Sequence, residues 1–156
     1  MSKVMVIGAG PAGIMAAITA AENHNVVLVD GNEKIAKKLF ITGKGRCNIT
    51  NGKDIGDFFD YIPGNPHFLY SALYSFTNND VIEMIESEGT KLKIERGGRI
   101  FPESDKSSDI IKALSKKLSK AKVDIKLNSK VTDVFFENNT IKSVEIIVKK
   151  LVLIIL

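Results

Sequence analysis

The chain has 156 residues, 44% of them hydrophobic, enough for one domain with a real core and too apolar for global disorder. Twenty-two Lys and Arg against 18 Asp and Glu give a net charge of +4, and the lysines are scattered rather than massed on one stripe, so no nucleic-acid partner is expected. A single cysteine excludes an internal disulfide and a Cys-based zinc site and suits a reducing compartment; the expected location is cytoplasmic, with no metal.

Lys3 to Ile7, KVMVI, is a short apolar run closed by glycine and reads as a buried parallel strand. Gly8-Ala9-Gly10-Pro11-Ala12-Gly13 follows, and then IMAAITAAEN reads as a helix with Pro11 in its first turn, where a missing N–H costs nothing. Val26 to Asp30 is a second buried strand, completing a β-α-β unit. The glycine spacing is G-x-G-x-x-G in the context that pattern requires. Gly8 permits the tight turn, Gly10 lets backbone approach a pyrophosphate, and Gly13 allows close helix–strand packing. The helix start offers N–H groups to phosphates, and Asp30 stands where a ribose diol would lie. The alternative is a glycine-rich turn beside a strand-ending Asp. The pattern does not separate FAD from NAD.

Residues 31–65 read as loop, with a short cationic helix over Glu33–Leu39. Within this stretch, TGKGRCNITN (42–51) lacks the P-loop spacing. Gly43 and Gly45 can adopt positive φ and bring amides near a ligand. Lys44 and Arg46 suit a phosphate or an anionic flavin ring, and Asn48 and Asn51 add donors and acceptors. Cys47 has neither a second Cys nor an evident base, so it reads as a small packing residue.

Pro66–Phe76 reads as helix, as does Asn79–Glu88, capped near Asn78 and stopped by Gly89. His67 is a surface residue at a helix start rather than a general base. Lys91–Glu95 is a candidate strand, Arg96–Arg99 a turn, and Pro102 with Ser104 ends a strand ahead of a helix. Arg99 is balanced between a site-lining and a structural role. The helix Ser108–Lys120 places Ile110, Ile111, Leu114 and Leu118 on one face. Val123–Leu127, Val131–Phe136 and Ile141–Val148 read as strands, the last two joined by a turn at 137–140.

GAGPAG, EKIAKKLFITGKGRCNITN and GGRIFPESDKSSDIIKAL together resemble a bacterial family of NAD(P)/FAD-dependent, or NAD(FAD)-utilising, flavoprotein oxidoreductases with aminoacetone-oxidase-like and bile-acid dehydro-reductase-like members. The resemblance runs from Lys3 to about Ile146. It implies an α/β fold: a Rossmann-like FAD-binding domain over 1–148 with a parallel sheet, a βαβ start and a β-hairpin or meander near the C-terminus. It implies that Gly8, Gly10, Pro11, Ala12, Gly13 and Asp30 hold the FAD pyrophosphate and ribose, with Lys38 near the adenosine end. Gly43, Gly45, Arg46, Cys47 and Asn48 would run beside pyrophosphate and flavin. Val131 would meet adenine through backbone groups, or serve simply as strand core. NAD(P)H is the expected reductant. No catalytic side chain is implied, and the small-molecule substrate is open.

Two departures from that family stand out. Ala36 replaces its usual glycine. Residues 149–156, ending in LVLIIL, do not match the strand and glycine turn expected there. The apolar run Leu151–Leu156 is too short to span a membrane, and the first residues carry no signal-peptide pattern. The expectation is a truncated N-terminal portion: an NAD(P)H-linked flavoprotein, or a non-catalytic FAD-binding fragment that needs a complementing C-terminal chain. An NAD-only Rossmann binder is the weaker third reading.

Overall fold

The computed structural model describes residues 1–148 and 151–155. The chain divides into two compact units: Met1–Lys38 with Leu114–Leu156, and Leu39–Ala113.

The first unit starts with β1 (Lys3–Ile7), α1 (Pro11–Ala21) and β2 (Asn25–Val29), the β-α-β unit read from the sequence. β1 and β2 are parallel, with Val4 opposite Val26 and Ile7 opposite Val29. β6 (Asp124–Lys126) adds in parallel on the far side of β2, giving the order β1-β2-β6. Val26, Leu28 and Val29 are buried, as befits a strand flanked on both edges. β7 (Ser129–Glu137) and β8 (Thr140–Val148) form an antiparallel hairpin. Its two-residue tip, Asn138 and Asn139, has φ of 50° and 58°, the double left-handed turn that matches strand twist and that asparagine tolerates. β9 (Leu151–Ile155) pairs antiparallel with β8, so most of the apolar segment expected to depart from the family is the third strand of a meander; residues 149, 150 and 156 lie outside the described residues. Val29, Val144 and Ile146 form a buried cluster, with Met5, Val27, Val131, Val134 and Val148 packed on it. The hairpin thereby covers the parallel sheet with apolar surface, the dominant favourable term in folding.

The second unit holds the antiparallel sheet β3-β5-β4: β3 (Thr50–Asn51), β5 (Arg99–Pro102) and β4 (Leu92–Glu95). Gly97 and Gly98, at φ of 77° and 76°, turn β4 into β5. The region expected as one helix over 66–76 is a 3-10 turn, Pro66–Leu69, followed by the short α2 (Tyr70–Ser75). α3 (Asn78–Glu86) begins one residue earlier than expected, because Thr77 is the cap. Thr77 Oγ1 accepts the Asp80 N–H at 3.3 Å, and the Asp80 carboxylate accepts the Thr77 N–H at 2.6 Å, a reciprocal capping box. α4 (Ser107–Lys120) begins in the second unit and ends in the first, and its four apolar positions Ile110, Ile111, Leu114 and Leu118 are all buried, as its periodicity predicts.

Candidate functional site

The glycine loop of the first unit is built by sterics. Gly8 sits at φ +104° and its N–H donates to Val29 O at 2.7 Å, tying the end of β1 to β2. A Cβ on Gly13 would lie 1.8 Å from Gly8 O, so only glycine lets α1 come this close to the strand. A Cβ on Gly10 would meet nothing within 4 Å. The bareness of Gly10 therefore serves no neighbour in the protein; it keeps open the space in front of the helix.

That helix end is left with donors. Gly10 is the N-cap and gives no side-chain cap, Pro11 has no N–H, and no acidic residue lies in the first turn. The first intrahelical bond runs from the Ile14 N–H to Gly10 O at 2.9 Å. The amides of Ala12 and Gly13 remain as donors at the positive end of the helix, the chemistry that receives a phosphate. Pro11 itself cannot donate; its ring presets the first helical φ.

Asp30 follows β2 directly and is already engaged. Its Oδ2 accepts the Ala9 N–H at 2.7 Å, and its Oδ1 accepts the Asn32 N–H at 2.7 Å and the Asn32 Nδ2 at 2.8 Å. Partial burial pushes its pKa up, but the amides of Asn32 and Ala9, the Asn32 side chain and the Lys37 charge outweigh this and hold the carboxyl below its ordinary range. A carboxylate has about four acceptor positions. With three filled, one remains on Oδ2 for a hydroxyl donor such as a ribose. Lys37 Nζ donates to Asn32 Oδ1 at 3.2 Å, so Lys37 enters this network while Lys38 is exposed beside it.

Ala36 takes a backbone conformation that favours glycine. It is buried, with φ +52°, and its N–H donates to Ala9 O at 2.7 Å. The left-handed backbone there breaks the helix expected over 33–39, leaving a 3-10 turn at Lys37–Phe40. The start of β7 lies against the same segment. Asn128 N–H donates to Asn32 O and Ser129 N–H to Asp30 O, both at 2.9 Å. Val131 is half-buried on the core cluster opposite Ile146. The first unit thus gathers the Gly8–Gly13 loop, Asp30 and the β7 start, with Ala36, singled out in the sequence, beside them; Asn32 and Lys37 are members that sequence reading missed.

In the second unit, Gly43, Lys44, Gly45 and Cys47 all have positive φ, from 56° to 86°. Gly43 is glycine for room as well: a Cβ would lie 3.1 Å from Asn48 N and 3.2 Å from the Phe101 ring. This loop spends its amides internally. Arg46 N–H donates to Gly43 O at 3.2 Å and Cys47 N–H to Thr42 O at 3.1 Å.

The Arg46 guanidinium is likewise committed. It pairs with Glu95, binds Asp105 through Nε at 2.8 Å, and stacks on the Phe101 ring at 4.3 Å. Lys93 Nζ joins at 2.7 Å from Asp105 and 3.7 Å from Glu95, closing a cluster of two cations and two anions. Lys93 first, then Arg46, hold the Asp105 carboxyl below its ordinary range. Lys44 and Asn48 are exposed. Cys47 is fully buried; desolvation pushes its thiol pKa up and a Thr42 hydrogen bond only partly opposes this, so the thiolate needed for reactivity is disfavoured. Arg99 donates through Nε to Arg96 O at 3.0 Å, Pro102 is buried in β5, and His67 is exposed. Among the described residues no group of three His, Cys, Asp or Glu could hold a metal.

Residues 2–154 match the family described as the HI0933-like protein Rossmann domain. The chain belongs to the HI0933-like family, a FAD-binding Rossmann family. It is 36% identical over 128 residues to a 3-dehydro-bile acid delta(4,6)-reductase of Clostridium scindens, covering 80% of this chain and 31% of the relative. It is 33% identical over 132 residues to a ribosomal RNA dihydrouridine synthase of Escherichia coli, covering 83% and 32%. The fold of the HI0933-like chain is also that of a flavocytochrome c3 fumarate reductase, with a TM-score of 0.67 at 22% identity, over 93% of this chain and 30% of the other. The chain spans about a third of the length of the curated relatives it matches. No helix of the described residues is long and apolar enough to cross a membrane.

Proposed function

We propose that the first unit grips FAD and that the chain forms the nucleotide-binding part of an oxidoreductase whose hydride passes through the flavin. One observation carries this reading: the space kept clear by Gly10 fronts a helix end whose Ala12 and Gly13 amides have no partner among the described residues. In this reading those amides and the Gly8 turn receive the pyrophosphate. Asp30 takes a ribose hydroxyl on its open Oδ2 position, Val131 meets adenine through its backbone, and Lys38 stands near the adenosine end. Gly43, Gly45, Arg46, Cys47 and Asn48 run beside the flavin. With Arg46 paired to two carboxylates, its part there is to fix the loop's shape. The bound flavin supplies the hydride-accepting ring; the protein binds and orients it and excludes water. NADH or NADPH is the proposed reductant.

The relatives' names point to two different substrates, an unsaturated bile acid and an RNA base. The substrate of this chain is therefore left at the level of a reducible organic double bond. A second reading, favoured by coverage of only a third of the relatives' length, is that these residues bind FAD without turnover. Purification with added FAD and NADH or NADPH separates the two. Yellow protein that oxidises nicotinamide supports the first, yellow protein without turnover supports the second, and colourless protein that takes up no FAD overturns both.

A further inference from the structure

The second unit contains a cavity of ≈ 430 Å³ lined by Asn51, Lys53, Phe58, Tyr61, Ile62 and Gly97. That volume falls within the usual range for small-ligand sites, about 300–1,000 Å³. We infer that it is a binding site for a planar, conjugated monocarboxylate, with Lys53 taking the carboxylate and the Phe58 and Tyr61 rings taking the planar body.

The wall is built rather than incidental. The buried Asn78 amide donates to both Asn51 O, at 2.8 Å, and Lys53 O, at 2.9 Å, fixing the backbone on either side of Gly52. Asn51 Oδ1 accepts the Lys53 N–H at 3.0 Å and its Nδ2 donates to Gly97 O at 2.8 Å. A Cβ on Gly98 would stand 2.4 Å from Asn51 Oδ1, so that glycine makes room for the clamp. With Asn51 largely spent on the wall, Lys53 is the lining side chain that brings positive charge, and it has donors left. Its Nζ donates one hydrogen bond, to Tyr61 Oη at 2.6 Å, and an ammonium has three. It also sits 4.1 Å from the Tyr61 ring centroid.

Charge narrows the ligand. Arg46 and Lys93 are each paired with carboxylates, whereas among the described residues Lys53 has none within ion-pair distance. Asp57 and Asp60 act on it only through space. One unpaired ammonium, with no guanidinium fork and two acidic side chains nearby, suits a monoanion better than a phosphate. The aromatic walls suit a flat apolar body. This inference goes beyond the flavin reading and does not need it.

Benzoate is the probe, titrated into the full chain and followed by amide chemical shifts, with benzamide as its neutral counterpart. The expected result is benzoate-dependent movement of the amides of Asn51–Ile62 and Gly97 with an affinity in the millimolar range. Benzamide should bind about tenfold more weakly, as should benzoate to Lys53→Met, while Lys53→Arg keeps most of the affinity. Equal binding of benzamide and benzoate overturns the proposal without relying on any variant. So does an unchanged benzoate affinity in Lys53→Met, or shifts confined to the Gly8–Gly13 loop.

Discussion

Two loops in this chain look alike in composition and differ in chemistry. Gly8–Gly13 and Gly43–Asn48 are both glycine-rich, and both place at least one glycine at positive φ. The first leaves amides at a helix end without partners among the described residues and keeps space open before them. The second turns its amides onto its own carbonyls, and its arginine onto Glu95 and Asp105. Glycines beside cations therefore do not by themselves define an anion cradle. What decides is whether donors remain after the protein has satisfied itself.

The contrast can be broken most forcefully inside the first loop. Gly13→Ala puts a methyl 1.8 Å from Gly8 O and should cost about 3 kcal/mol of stability by overpacking, read as a fall in the denaturation midpoint. A fully stable Gly13→Ala protein would mean that α1 is free to move off the strand. Next is Asp30→Ala, which should weaken FAD binding by about 1–3 kcal/mol, the scale of a hydrogen bond to a charged group. Asp30 also carries a pH signature. Its folded pKa lies below the ordinary value, so its contribution is present above pH ~4 and is lost as pH falls through the folded pKa. Acid titration of Asp30→Asn should show a shallower loss of stability below pH ~4 than wild type.

Arg46→Gln sharpens the comparison from the other side. It should lower the melting temperature, most at low salt, because it strips a partly exposed charge cluster of one cation. FAD affinity should fall less than in Asp30→Ala. Lost flavin with an unchanged melting temperature would make Arg46 a ligand contact instead. The smallest effect is expected from Ala36→Gly. Relief of the left-handed strain, roughly 1–2 kcal/mol, is offset by the greater freedom of unfolded glycine, leaving a gain of about 0.5 kcal/mol. Thermal unfolding of the pair measures it.

The first unit was legible because its signals are local. The strand-glycine-proline-helix order fixes β1, α1 and β2 within one or two residues, and the paired asparagines mark the β7–β8 turn. In the second unit β4, the turn after it and α3 were legible within one or two residues, but the rest was not, because it is made by distant partners. β3 is two residues long and exists only through pairing with Ile100 and Arg99. Arg46 meets Asp105 across 59 residues, a contact with no local trace. Thr77 and Asn78 are both cap-forming residues, and only the tertiary use of the Asn78 amide on Asn51 and Lys53 decides between them. The positive φ of Ala36 goes with the bond of its N–H to Ala9 O, a contact with no local trace.

The most direct test is FAD titration of wild type and Gly10→Val by flavin fluorescence, with a folding control by circular dichroism. A Cβ at Gly10 meets no protein atom, so the variant should fold as wild type while losing FAD affinity by at least about tenfold. A folded Gly10→Val protein that binds FAD as tightly as wild type would contradict the placement of the pyrophosphate at the head of α1.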